Sequence, residues 1–233
     1  MARSGDVDSA VGRTTMQIAI PLYPRLTVLD AVGPYEVLQR VPGFVPVFVG
    51  AERGTVRSDT DALGLVVDAA YDEVPSPDVV VVPGGPGSRD HLDGGPLVDW
   101  LRRVHPGTRY TTSVCTGSLV LGAAGLLDGL DATTHWGSLQ VLERFGARPT
   151  TRRVVEQLDH RIVTAAGVSS GIDMGLRLIE LLADELAART AQLWIEYDPQ
   201  PPFDSGHPDR ADDAVRAKIT EDSGGRLVVP PPR

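Results

Sequence analysis

The stretch Tyr110-Thr-Thr-Ser-Val-Cys115-Thr-Gly-Ser-Leu-Val-Leu-Gly-Ala-Ala124 decides how the rest of the chain is read. Arg109 to Val114 carries several β-branched residues and suits a strand. Ser118 to Ala124 is compatible with a helix, and Gly117 is the tight step between the two. Cys115, the only cysteine in 233 residues, stands at this strand-to-helix corner. A corner of this kind lifts the side chain off the sheet edge. The unpaired N–H groups at the helix start favour thiolate over thiol, which predicts a reactive cysteine of lowered pKa. It is the cysteine form of a nucleophile elbow. Without that setting, a solitary cysteine reads as a small buried hydrophobe.

Working outward, the segments on either side alternate between strand and helix patterns. Met16 to Leu22 is a short, mostly apolar run, followed by a loop from Tyr23 to Leu29. Asp30 stands at the end of that loop. Pro34 suits the first turn of a helix that Tyr35 to Arg40 continue. Val45 to Gly50 reads as a second strand, and Val56 to Val67 as a hairpin region. Asp78-Val-Val-Val-Val-Pro83-Gly-Gly-Pro-Gly87 is a strand buried on both faces and stopped by glycines, as central parallel strands are. Leu97 to Val104 is an amphipathic helix.

Beyond the cysteine, Ala132 to Thr134 reads as a short strand and Gly137 to Phe145 as a helix. Arg153 to Gln157 and Arg161 to Ala165 pair as a hairpin around Asp159-His160. Ile172 to Ala188 predicts one long helix with Leu176, Ile179, Leu182 and Leu186 on a stripe. A further helix is expected near Thr190 to Glu196, then a proline-locked segment from Asp198 to Phe203. The alternation implies an α/β fold, with a mostly parallel sheet and helices on both faces. Three strand-following loops then converge at the carboxyl end of the sheet: Tyr23–Asp30, Pro83–Gly87 and Cys115–Gly117.

Composition bounds the partners. A net charge of −9 argues against a nucleic-acid surface, and one cysteine fits a reducing compartment without an internal disulfide. No apolar run approaches a membrane span, and Met1 to Thr15 has no apolar core of a secretory signal. The expectation is a cytoplasmic protein without a membrane partner. It consists of a disordered leader at 1–15, one domain at 16–221 and a flexible tail at 222–233. His91, His105 and His207 lie in polar loops without ligand spacing, so no metal is expected. Gly84-Gly-Pro-Gly87 lacks the Lys and Ser/Thr of a phosphate loop.

Several stretches together resemble the ThiJ/PfpI superfamily, and within it the bacterial isocyanide hydratases. They are Leu29-Asp30-Ala-Val-Gly33-Pro34-Tyr-Glu36, Val82-Pro83-Gly84-Gly85, Thr112-Ser-Val-Cys115-Thr116-Gly117, Ala132-Thr-Thr-His135-Trp136, Gly171-Ile-Asp173 and Glu196-Tyr-Asp-Pro-Gln-Pro-Pro-Phe203. The resemblance spans about Ile18 to Pro208. It implies a flavodoxin-like three-layer sandwich and a cofactor-free lyase that hydrates a small isocyanide to an N-substituted formamide. It further implies a homodimer.

In that reading Cys115 is the nucleophile and Asp30 the proton donor and acceptor facing it. Thr116, with the backbone near Gly85 and Val168, holds the thiolate and the developing charge. Relatives that hydrolyse amides partner the cysteine with a histidine, whereas Thr116 follows it here. Two other readings stand beside the hydratase. One is a redox or ligand sensor built on the same elbow, and the other a glyoxalase or deglycase, which usually couples Cys with Glu and His. The superfamily also includes the ligand-binding half of AraC-type regulators, whose C-terminal DNA-binding region has no room in this chain. His135 and Asp173 read as structural groups, and Glu36 as either a solvated charge or a supporting group.

Overall fold

The computed structural model describes residues 15–227. In chain order it contains β1 (Met16–Pro21), α1 (Val28–Leu38), β2 (Phe44–Gly50), β3 (Gly54–Arg57), β4 (Gly64–Val67), β5 (Ala69–Ala70) and β6 (Val79–Val82). Then come α2 (Pro96–Val104), β7 (Tyr110–Val114), α3 (Gly117–Ala123), β8 (Asp131–Ala132), β9 (Arg148–Pro149), β10 (Val154–Gln157) and β11 (Ile162–Ala165). The helices α4 (Ser170–Leu182), α5 (Glu185–Trp194) and α6 (Asp213–Asp222) follow. Apart from Thr15, the expected leader lies outside the described residues, as do residues 228–233 of the expected tail. Residues 223–227 form a hydrogen-bonded turn, in which the Leu227 N–H donates to Ser223 Oγ at 3.0 Å.

Seven strands make the main sheet in the order β10-β11-β7-β6-β1-β2-β5. Every pairing in it is parallel except β10 with β11. Val79 to Val82 are all buried, because a central parallel strand is covered on both faces. Helices α1, α4 and α5 pack together, while α2 and α3 pack against each other and α3 against the 3₁₀ turns at Pro86–His91 and Trp136–Phe145. The result is a flavodoxin-like three-layer α/β sandwich with a mostly parallel sheet. From β1 the chain moves one way to β2 and later the other way through β6, β7 and β11. The topological switch lies between β1 and β6, where open α/β sheets leave a crevice at their carboxyl end.

Three expectations about helices are corrected. The first helix starts at Val28 with Thr27 as its cap, so Pro34 lies inside it and Asp30 lies in its first turn rather than in the loop. Pro34 has no N–H for the carbonyl four residues back, and that carbonyl belongs to Asp30. The long helix expected over Ile172 to Ala188 breaks at Ala183–Asp184. There Asp184 starts α5 by accepting the Ala187 N–H at 2.7 Å. Leu186 consequently leaves the buried stripe and is exposed. The helix expected at Gly137–Phe145 is wound as 3₁₀ from Trp136 to Phe145.

Candidate active site

The corner at Cys115 is built as the sequence implies, and its geometry shows the cost. Cys115 has φ of 57°, in the left-handed region that a residue with a side chain rarely occupies. The surroundings hold it there. Its N–H donates to the carbonyls of Ala166 at 2.8 Å and Ala165 at 3.1 Å. Its carbonyl accepts from Thr134 Oγ1 at 2.9 Å and Ser118 Oγ at 3.1 Å. Strain of this kind, of order 1–3 kcal/mol, persists only where neighbours over-determine the conformation.

The three expected loops meet around this residue. Thr27 N–H donates to the Gly84 carbonyl at 3.0 Å, joining the loop after β1 to the loop after β6. Gly84 N–H donates to Asp30 Oδ2 at 3.0 Å. Gly85 N–H donates to Thr116 Oγ1 at 2.9 Å, and the Thr116 hydroxyl lies 3.1 Å from the Gly85 carbonyl. A Cβ on Gly84 would sit 2.5 Å from Thr116 N and 2.9 Å from Asp30 Oδ2, so only glycine permits this approach. Cys115, Asp30, Thr116, Gly85 and Val168 are therefore gathered at one place. The Cys115 sulfur receives the backbone N–H groups of Thr116 and Val168 and interacts with the Asp30 carboxyl.

Two details differ from expectation. The Gly85 N–H and the Thr116 hydroxyl are engaged with each other, which leaves backbone N–H groups as the donors on sulfur. The thiol pKa is not lowered: it is pushed up to about 12, first by burial and then by the negative charge of Asp30, against the pull of the Thr116 and Val168 N–H groups. The short helix start is outweighed because Cys115 is only 5 % exposed.

Asp30 is fully buried, and burial pushes its carboxyl from 3.8 up to about 7, despite the Gly84 N–H and the Cys115 thiol, which favour the carboxylate. Its Oδ1 is buried with no hydrogen-bond partner. Asp30 raises the proton affinity of Cys115, while the thiol favours the ionised form of Asp30, so the two titrate as a coupled pair. When the carboxyl is protonated, the charge opposing the thiolate disappears and the sulfur keeps its two N–H donors.

Among the residues around the site, Tyr23 carries no sequence signal that marks it. The Tyr23 hydroxyl donates to the Pro83 carbonyl inside the protein and fixes the start of the Gly84–Gly85 turn. Burial, followed by the charges of Asp30 and Cys115, pushes its phenol well above the ordinary range. Glu36 turns to solvent and pairs with Arg40 at 2.6 Å. Asp173 holds Arg153 in an ion pair and accepts from the Tyr197 hydroxyl at 2.6 Å, joining α4, the residue before β10 and the chain after α5. His135 Nδ1 accepts the Gly137 N–H at 3.2 Å, and burial with nearby Arg89 lowers its pKa. Among the described residues, no three His, Cys, Asp or Glu side chains cluster as metal ligands.

A cavity of about 830 Å³ adjoins the site. Thr134, Ala166 and Val168 line it, and each of them also bonds to Cys115. Trp136 lines it as well, and so does the segment Gly206–Arg210.

Comparison with known proteins places this geometry among relatives. The profile of the DJ-1/PfpI family matches residues 16–181. The chain is 42 % identical to an isonitrile hydratase of Pseudomonas putida, over 91 % of this chain and 98 % of that one. It is 32 % identical to the HTH-type transcriptional regulator GbdR of Pseudomonas aeruginosa, over 58 % of this chain and 37 % of the regulator. Among solved structures it superposes on a THiJ/PfpI family protein of Pseudomonas syringae with a TM-score of 0.85. That pair shares 36 % identity over 95 % of this chain and 93 % of the other.

Proposed function

The chain belongs to the DJ-1/PfpI family, and from that premise we propose that it is an isocyanide hydratase converting R–N≡C and water to an N-substituted formamide. The observation that carries this reading is the buried Asp30–Cys115 pair, holding a proton between a carboxyl and a sulfur that already has two N–H donors. The similarity to the isonitrile hydratase over nearly its whole length supports the same reading.

Each step then has a residue. The proton passes to Asp30 as the thiolate forms, and the sulfur attacks the terminal isocyanide carbon. Asp30 returns the proton to that carbon, giving the thioimidate R–N=CH–S. Water adds to the CH carbon while Asp30 takes its proton. Asp30 passes that proton to the nitrogen, the C–S bond breaks as the hydroxyl proton moves by way of Asp30 to the departing sulfur, and R–NH–CHO leaves with the Cys115 thiol and the Asp30 carboxylate regenerated. A linear isocyano group is a thin rod with its reactive carbon at the tip, which suits a sulfur that is 5 % exposed. The protein is read as cytoplasmic and as a homodimer. Leu186, Leu193 and Trp194 are exposed on α5, and Phe203 is exposed on the following segment, so this face has apolar surface to cover.

The direct test is product analysis after mixing the purified protein with an aryl or alkyl isocyanide. Appearance of the formyl proton of the matching formamide is expected, and unconsumed isocyanide overturns the proposal. The likeness to GbdR keeps a ligand- or redox-sensing reading in view. Against peroxide sensing, burial keeps the thiol protonated at neutral pH, and thiolate is the form that peroxide oxidises. If peroxide changed partner binding while isocyanide stayed untouched, the sensing reading would take over.

A further inference from the structure

Part of the cavity lining comes from a stretch of the chain that the family profile does not reach. That profile ends at residue 181, whereas Gly206–Arg210 lines the cavity together with Thr134, Trp136 and Val168. A match covering 91 % of the chain cannot end short of residue 210, so the likeness to the isonitrile hydratase runs past this segment.

The segment is folded against the site. The Arg216 guanidinium donates to the carbonyl of Ala211 at 2.8 Å and to that of Pro208. His207 Nδ1 accepts the Asp209 N–H at 3.1 Å. Leu227 reaches back beside Gly137, a residue of the cavity lining.

Two physical facts limit what the cavity accepts. Its volume, about 830 Å³, lies in the upper part of the range for sites that enclose drug-sized molecules, far more than an isocyano group fills. Its charged side chains are already matched. Arg153 pairs with Asp173, Arg210 with Asp204 at 2.6 Å, and His207 with Asp209 at 3.7 Å. A charged ligand group would have to displace one of these partners.

We propose that Gly206–Arg210 is the selectivity wall of the site, and that the substrates are isocyanides with an uncharged, ring-sized or larger R group packed between Trp136 and Pro208. The inference rests on the hydratase reading. It names the substrate class of that same site and gives a function to a segment that the elbow chemistry leaves unused.

The test compares kcat/KM for naphthyl isocyanide, methyl isocyanide and a carboxylate-bearing aryl isocyanide. The wild-type protein should prefer the naphthyl substrate over both others. In Pro208→Ala and in Trp136→Ala, the naphthyl-to-methyl ratio should fall about tenfold or more, the scale of lost apolar pocket contacts. A second readout needs no turnover. N-naphthylformamide should bind Cys115→Ala saturably by calorimetry, and adding Pro208→Ala should weaken binding about tenfold. An unchanged ratio with unchanged formamide binding, or a preference for methyl or carboxylate substrates, overturns the inference and leaves the hydratase standing. Failure of the folded protein to consume any isocyanide overturns both.

Discussion

Asp30 and Cys115 meet inside the protein with burial raising the proton affinity of each and the charge of Asp30 raising that of Cys115 further. Proton position, more than thiol acidity alone, therefore sets when this site can react.

Activity should follow the first ionisation of the pair. Below about pH 7 both groups hold protons, and above it one proton is shared. A plot of kcat/KM against pH should rise through about 7 and then stay level through the neutral and mildly alkaline range. A profile that falls across pH 7 contradicts the shared-proton arrangement.

Cys115→Ala should abolish formamide formation, a loss of about 10³-fold or more for a nucleophile that acts as part of a unit. The fold should survive, because alanine suits a small buried position. Activity assays with circular dichroism on the same sample decide the matter, and retained turnover sinks the nucleophile assignment.

Asp30→Asn should lower turnover about 10²- to 10⁴-fold, the range for a positioned acid–base group. The same variant carries a stability signature. A carboxyl whose pKa rises from 3.8 unfolded to about 7 folded binds a proton more tightly in the native state. It therefore makes stability decline as pH climbs from about 4 to about 7, by up to roughly 4 kcal/mol at 1.36 kcal/mol per unit. Asn removes this slope. Denaturant titrations at pH 4.5 and 7.5 should show the variant gaining on wild type at the higher pH, and parallel curves would refute the buried, ionising carboxyl.

Gly84→Ala places a methyl 2.5 Å from Thr116 N. That neighbour is backbone and cannot swing away, so the loop must move off Asp30 and Thr116. Overpacking of this kind costs roughly 1–3 kcal/mol. Turnover should fall more steeply than stability, which thermal melts and kinetics on one preparation can separate.

The exposed apolar face of α5 predicts a C2 dimer. Light scattering at micromolar concentration should return twice the chain mass, and Trp194→Asp should shift it toward the monomer. A monomer mass for the unaltered protein contradicts the prediction.

Much of the architecture was legible because its signals are local. Val79–Val82 could only be a strand covered on both faces, and Cys115 between β-branched residues and a glycine-led helix could only be a corner. Pro34 misled because proline is read as a helix starter, whereas here it interrupts one bond of a helix already begun at Val28. The break before α5 did have a signal, since Asp184 followed by Glu185 is a good helix start, but the continuing apolar stripe masked it. The protonation of Cys115 depends on burial and on Asp30, which lies 85 positions away in the chain. Spacing rules do not report such distances. The lining role of 206–210 was equally out of reach, because a polar, proline-flanked segment carries no periodic signal to say what it packs against.

The position of β1 also shapes how the protein comes into being. Met16–Pro21 pairs with β2 soon after both are made, but its other neighbour is β6, with Ile18 opposite Val79. Chains are synthesised from the N-terminus, so one edge of the apolar strand Met-Gln-Ile-Ala-Ile-Pro stays open until some sixty further residues have emerged. Non-local parallel pairing is intrinsically slow, and open strand edges recruit other chains. Heterologous production should therefore be limited by capture of the nascent chain, and should improve with lower temperature or added chaperone capacity.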